Sequence, residues 1–358
     1  MDDEINNFIK VWISALASLF YCYSIAGKFP KGVIRLLSLL PVLCLFTILP
    51  LNLSSFHLGA PTAFYLAWLG NFKLLLFSLD QGPLSSRPAK SLLGFVSIAS
   101  LPIKVKPDPS LGKSHQNSGK SLQSRAEESP SPCGSHLKLA VECLVSAVLI
   151  KIIYDYKQQI HPSIFLCMYC CNLFLGLEIT LAMGAAVARA LLGLDLEPQF
   201  NEPYLTTSLQ DFWGRRWNLM VSSILRPTVY DPVRRISAPV FGTRWAPLPA
   251  VVAAFTVSGL MHELIYYYLT RVDPTWEVTW FFVFQGLCVA TEVAVKKWVN
   301  GRWKLQRQVS GPLTLSFIAA TGARLFFPQL LWNGVDERAI GEYAIVVKFL
   351  RNRLRPIF

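Results

Sequence analysis

The chain has 358 residues, 53% of them hydrophobic and only 16% charged, against roughly 25% charged in ordinary soluble domains. A water-soluble enzyme of this length could hide much apolar sequence in a core, but it would not string it into runs of about 20 residues, as this chain does. The formal charge of +12 excludes little by itself. However, the Lys and Arg are spread over separate loops rather than gathered on one stripe, which argues against a nucleic-acid binder and for basic cytosolic loops or an anionic, phosphate-bearing cosubstrate.

In chain order, the amino-terminal MDDEINNFIK is acidic where a cleavable signal has a basic region, so the first apolar run is expected to remain as a membrane helix. Apolar runs at about 8 to 26, 33 to 51, 58 to 79, 137 to 153, 163 to 193, 247 to 270, 276 to 295 and 311 to 333 predict an all-α polytopic membrane protein of about eight spans. Loop charge gives the orientation. Basic residues follow the first, third, fifth and seventh runs, whereas the connections at 52 to 57, 154 to 162 and 271 to 275 are short and nearly neutral. Odd spans therefore end in the cytosol, with the amino terminus on the far side. The basic tail, with Lys348, Arg351, Arg353 and Arg355, breaks the alternation, and a short membrane-entering segment near 339 to 350 would restore it.

Residues 104 to 135 are rich in Ser, Pro, Gly and Lys, the composition of a disordered cytosolic loop. That loop interrupts what otherwise reads as a single membrane-embedded domain over 1 to 358. His115 and His136 fall in or beside it and read as solvated. Seven of the eight Cys, at 22, 44, 143, 167, 170, 171 and 288, lie in apolar runs, so no disulfide framework is expected. Cys167 and Cys170 form a CxxC with no second pair or nearby His, and no metal site is expected.

Two stretches carry chemistry. The first, PQFNEPYLTTSLQDFWGRRWNLMVSSILRPTVYDPVRR at 198 to 235, mixes large aromatic rings with Arg, as amphipathic segments lying in the membrane interface do. Simple anchoring would account for that composition. It does not account for DFWGRRWN, where Asp211, Arg215, Arg216 and Asn218 crowd among Phe212, Trp213 and Trp217 within eight positions. Paired Arg suit phosphate groups through forked hydrogen bonding, and an Asn amide can donate and accept at a reacting oxygen. The second, FTVSGLMHELIYYYL at 255 to 269, puts His262 and Glu263 inside an apolar helix. Ionisable groups there cost several kcal/mol and mark function by default. A neutral imidazole in such a setting can serve as a general base, while a purely structural histidine bonded to a neighbouring helix is the competing reading. Glu263 projects about 100° away around the helix, so it would bond a neighbouring helix or help orient the site. His57 and His161 sit at span ends, where an interfacial role suffices.

With KFPKG at 28 to 32, LPLNLSS at 49 to 55, NEPYLTTSLQDFWGRRWN and SGLMHELIYYYL, the chain resembles, over nearly its whole length, the plant wax synthase family of long-chain-alcohol O-fatty-acyltransferases, relatives of the membrane-bound O-acyltransferases. The resemblance implies that His262 takes the place of the catalytic base and Asn218 that of its polar partner. It also implies that Trp213, Arg215, Arg216 and Trp217 neighbour acyl-CoA, with Glu263 and Asp211 supporting. Where several relatives have an acidic residue, this chain has Gly-Arg-Arg. The implied reaction moves a fatty acyl group from acyl-CoA to a lipid alcohol in the endoplasmic reticulum membrane, with no bound cofactor. Diacylglycerol or a sterol as acceptor, or a short donor such as acetyl-CoA, would be variants of the same chemistry. The rival from another class is a transporter or scaffold, but the two halves show no internal repeat of spans. Signatures of other acyltransferases and hydrolases, HxxxxD, HHxxxD and GxSxG, are missing from the sequence.

Overall fold

A computed structural model describes residues 2–105, 132–156, 159–193, 196–299 and 306–354. The described chain is helical, with one isolated antiparallel bridge between Val105 and Leu196. The helices are α1 (Asp2–Ser24), α2 (Val33–Ile48), α3 (Phe56–Ala63), α4 (Asn71–Ser78), α5 (Leu92–Ser100), α6 (Pro132–Tyr156), α7 (Pro162–Leu192), α8 (Leu209–Asp211), α9 (Leu219–Leu225), α10 (Asp231–Trp245), α11 (Pro247–Thr270), α12 (Glu277–Trp298), α13 (Arg307–Leu325), α14 (Pro328–Trp332) and α15 (Val335–Leu354). Among the described residues, five segments are long and apolar enough to cross a membrane: Asp3–Lys28, Val33–Asn52, Ile164–Leu192, Pro247–Thr270 and Glu277–Trp298.

The run read at 58 to 79 is one continuous helical stretch, but not a uniform one. Between α3 and α4 the residues Phe64–Gly70 form a π-helix. The run at 311 to 333 is divided, because Pro328 follows Phe326 and Phe327 and opens a separate short helix. Pro fits the first turn of a helix and cannot continue one. The long fifth run is realised as a single helix of 31 residues, about 46 Å at 1.5 Å per residue, well beyond the ~30 Å hydrocarbon core. Of the segment read as a disordered loop, residues 106–131 lie outside the described residues.

Contacts divide the chain into two units, Met1–Pro102 with Pro198–Phe358, and Ile103–Glu197. In the second, α6 and α7 pair as a hairpin. Ser146 Oγ donates to Asn172 Oδ1 (2.8 Å), and Lys138 Nζ reaches Glu178 (2.6 Å) and Glu142 (3.3 Å). Lys104 pairs with Glu197 (2.5 Å) beside the Val105–Leu196 bridge.

In the first unit α11 and α12 pack most closely. Lipid tails are as apolar as the side chains, so helices in a membrane associate through close packing and hydrogen bonds rather than hydrophobicity. Gly259 of α11 lies against the Thr279 backbone, and Gly286 of α12 lies against the Phe255 side chain. A Cβ added at these positions would sit 3.0 Å from Thr279 Cα and 2.7 Å from Phe255 Cβ. Polar side chains tie the other ends. Arg271 donates to the carbonyls of Leu51 and Leu53 (both 2.9 Å), and Tyr268 Oη donates to Thr47 O (2.6 Å). Two carboxylates cap the α3 amino terminus, where unpaired N–H groups and the helix dipole favour negative charge. Glu4 accepts from the Ser54 and Ser55 N–H groups (2.7 and 2.8 Å). Glu342 of α15 accepts from Phe56 N–H (2.6 Å) and from Nδ1 of His57 (2.7 Å), which gives that histidine a structural partner.

Candidate active site

The segment from 199 to 219 is fixed by its backbone and by one ion pair. Asn201 N–H donates to Arg216 O (2.9 Å) and Leu219 N–H to Gln199 O (2.8 Å), so residues 199–201 run beside 216–219. Gln199 in turn donates through Nε2 to Pro102 O (2.7 Å). Ser208 caps α8 by accepting from Asp211 N–H (3.2 Å), and the π-turn Phe212–Arg216 follows directly. Arg216 Nε bonds Asp211 Oδ2 at 2.7 Å, and its Nη1 donates to the carbonyls of Asn201 (3.2 Å) and Glu202 (3.1 Å). Partial burial pushes the Asp211 carboxyl upward, but bonds from Arg216 and from Thr207 N–H outweigh this and hold its pKa below the ordinary carboxylate value.

The two arginines therefore separate. The Arg216 guanidinium is occupied within the segment, whereas Arg215 is exposed. Trp217 stacks on Phe212 (centroids 5.2 Å, 19° between planes) and meets Phe200 edge-on (5.2 Å). Asn218 has left-handed backbone angles (φ 37°, ψ 67°) and is the N-cap of α9, its Oδ1 accepting from Val221 N–H (3.2 Å). Asn commonly fills both roles.

His262 sits on α11 with Nδ1 at 2.8 Å from the Ser258 carbonyl oxygen. A carbonyl can only accept, so Nδ1 carries a proton, and in the neutral ring Nε2 keeps its lone pair. Three aromatic rings surround the imidazole. Phe282 stacks on it (4.1 Å, 24°), Trp68 meets it edge-to-face (5.0 Å, 80°), and Phe326, at the α13–α14 break, approaches to 5.9 Å. Phe326 O also accepts from Tyr266 Oη (2.7 Å), one turn along α11.

The first stretch reaches rings that contact the imidazole at two points. Trp213 packs against Phe282 (6.0 Å), which covers the histidine. The helix that Asn218 caps buries Met220, Val221, Ile224 and Leu225 in a cluster with Trp68. No hydrogen bond joins Asn218 to His262 among the described residues. Glu263 points elsewhere. Its carboxylate accepts from Trp276 N–H (3.1 Å), Thr279 N–H (3.3 Å) and Thr279 Oγ1 (3.0 Å), capping α12, the helix that supplies Phe282.

Sequence reasoning missed Gln285, Trp68 and Lys73. Gln285 is fully buried, accepts from Trp213 Nε1 (3.2 Å) and donates to Thr321 Oγ1 (2.8 Å), so it ties the Trp213 arm to α12 and α13. Lys73, also fully buried, donates to Ile98 O (2.6 Å) and Leu101 O (2.7 Å) at the end of α5. Its charge inside an apolar run was the same signal that singled out His262. Trp68 carried no such signal, since an aromatic in an apolar run reads as ordinary packing. Among the described residues, no group of three or more His, Cys, Asp or Glu is arranged to hold a metal ion.

A family profile described as "Membrane bound O-acyl transferase family" matches residues 196–284, a range that contains both DFWGRRWN and His262. A long-chain-alcohol O-fatty-acyltransferase of Simmondsia chinensis is 50% identical over 355 residues, covering 99% of this chain and 98% of the relative. A probable long-chain-alcohol O-fatty-acyltransferase 1 of Arabidopsis thaliana is 48% identical over 97% of each chain. An acyl-CoA–sterol O-acyltransferase 1 of Arabidopsis thaliana is 43% identical over 96% of each. Near-full-length identity at this level, on a helical chain with several helices long and apolar enough to span a membrane and a half-buried histidine on one of them, makes the chain a member of the plant wax synthase family of membrane-bound O-acyltransferases.

Proposed function

We propose that this enzyme, an O-acyltransferase embedded in the membrane, moves a fatty acyl group from acyl-CoA to a long-chain alcohol, making a wax ester, with His262 as the general base. The observation that carries the assignment is the imidazole itself, whose Nδ1 is tied to Ser258 O and whose Nε2 keeps its lone pair among Phe282, Trp68 and Phe326. Nε2 would take the hydroxyl proton as the alcohol oxygen attacks the thioester carbonyl. Coenzyme A then leaves as a thiol, so neither ATP nor a covalent enzyme intermediate is required.

Asp211 and Arg216 hold the segment in shape, Trp213 and Trp217 pack it, and the exposed Arg215 is the member of the pair free to meet CoA phosphates. Asn218 stands at the cap of α9 as the polar partner, and Glu263 supports the site by fixing α12. The bilayer delivers both the alcohol and the acyl chain, while the basic cytosolic loops receive CoA. The endoplasmic reticulum, where acyl-CoA and lipid alcohols meet, is the expected membrane.

The sterol acyltransferase among the relatives makes the acceptor the choice that needs testing. The chain is expressed in yeast lacking its own neutral-lipid acyltransferases, supplied with fatty alcohol, and the neutral lipids are profiled. Wax esters should dominate. Sterol esters or triacylglycerol in their place would reassign the acceptor.

A further inference from the structure

Trp68 lies on the π-helical stretch Phe64–Gly70, a geometry that is uncommon in helices and frequent at functional sites. Its side chain is 2% exposed, yet its indole Nε1–H has no hydrogen-bond partner. Buried polar groups almost always find one, and an exception calls for a reason. The other indole near the histidine follows the usual rule, Trp213 donating to Gln285.

The unpartnered N–H belongs to a ring in edge-to-face contact with the imidazole, centroids 5.0 Å apart. The other two rings on the imidazole, Phe282 and Phe326, are phenyls and carry no donor. Asn218, the donor expected from the sequence, caps α9 through its amide oxygen and, among the described residues, makes no hydrogen bond to the imidazole.

Trp68 is also held rigidly. Asn71 Nδ2 donates to Leu43 O (3.2 Å), Thr47 Oγ1 (3.1 Å) and Ala67 O (3.2 Å), pinning the π-helical stretch to α2, and the α9 cluster backs the indole. A donor fixed in advance, in a site that excludes water, is the arrangement that stabilises charge developing on an oxygen.

We infer that the Trp68 indole N–H is a hydrogen-bond donor to the acyl carbonyl oxygen during transfer. This rests on His262 being the base. As the alcohol oxygen bonds to the carbonyl carbon, its proton goes to His262 Nε2 and the carbonyl π electrons move onto oxygen, giving an oxyanion that Trp68 bonds. The oxyanion collapses, the C–S bond breaks, and the thiolate recovers the proton from the imidazolium. An indole N–H cannot accept, so it does not compete with His262 for the hydroxyl proton.

The test compares three full-length chains purified in lipid nanodiscs with radiolabelled palmitoyl-CoA and hexadecanol: the unmodified protein, Trp68→Phe, and a chain with benzothienylalanine at 68, which replaces N–H by sulfur and keeps the ring shape. The expected result is a kcat lower by about 10²-fold in both altered chains, with KM and the thermal midpoint of the benzothienylalanine chain unchanged. A purely structural Trp68 would instead move kcat only in step with the thermal midpoint, and that result overturns the inference. If Trp68→Phe fails to fold, the benzothienylalanine chain decides alone, and full kcat there also overturns it. His262→Ala, assayed in parallel, separates the failures. Turnover in that variant removes the base on which the inference rests. An inactive His262→Ala beside a fully active benzothienylalanine chain sinks the Trp68 inference only.

Discussion

At the scale of single residues, the site rests on which polar atoms are already occupied. His262 has one ring nitrogen committed to Ser258 and one available, so His262→Gln, which keeps a hydrogen-bonding group without a base, should lower ester formation by about 10²–10⁴-fold with little change in thermal midpoint. Asp211 is the opposite case, its carboxylate engaged by Arg216 and Thr207. Its folded pKa lies below the unfolded value, so its stabilisation is complete above the unfolded value, about 3.9, and is lost as pH falls through the folded one. Thermal midpoints taken from pH 7 down to pH 3 should therefore fall more steeply in the unmodified chain than in Asp211→Asn. Parallel curves would remove Asp211 from the acid sensitivity. His262 was legible in the sequence because an imidazole inside an apolar run is costly, and Arg216 was legible as part of a dense polar cluster. That Arg216 bonds its own segment while Arg215 stays exposed was not, because the two are adjacent and chemically alike, and only the path of residues 199–218 separates them.

At the scale of elements, α12 acts as the platform. It supplies Phe282 to the imidazole and Gln285 to Trp213, and its register is set by Glu263 at its amino end and by the close approach at Gly259 and Gly286. Glu263→Ala would leave the Trp276 and Thr279 donors unpaired, at a cost of about 1–3 kcal/mol, seen as a lower thermal midpoint in detergent. An unchanged midpoint would contradict the capping role. Gly286→Val would drive a side chain into Phe255 and should cost about 1–3 kcal/mol through overpacking, with activity lost as α12 shifts. Hydropathy located the helices because the bilayer demands long apolar runs. It could not locate the π-helical stretch at Phe64–Gly70 or the break after Phe326, because both leave the apolar composition unchanged. Those two irregularities are what bring Trp68 and Phe326 to the histidine.

At the scale of the whole molecule, a reaction on lipid substrates is joined to a water-soluble donor. The loop charges predict an amino terminus away from the cytosol and Arg215 on the cytosolic side. Single cysteines introduced at Asp3 and Arg215 of a cysteine-free chain in sealed microsomes should therefore differ, only the second reacting with a membrane-impermeant maleimide. Family membership was legible because the motifs around Asn218 and His262 are long and specific. The acceptor was not, since chain length and sterol selectivity depend on the shape of a lipid-filled site that no motif encodes. The most direct test of the central claim is ester formation by the purified enzyme from labelled acyl-CoA and a fatty alcohol, with His262→Ala beside it. The unmodified chain should make wax ester, and the variant should lose turnover at an unchanged thermal midpoint. Full turnover by a folded His262→Ala enzyme would contradict it.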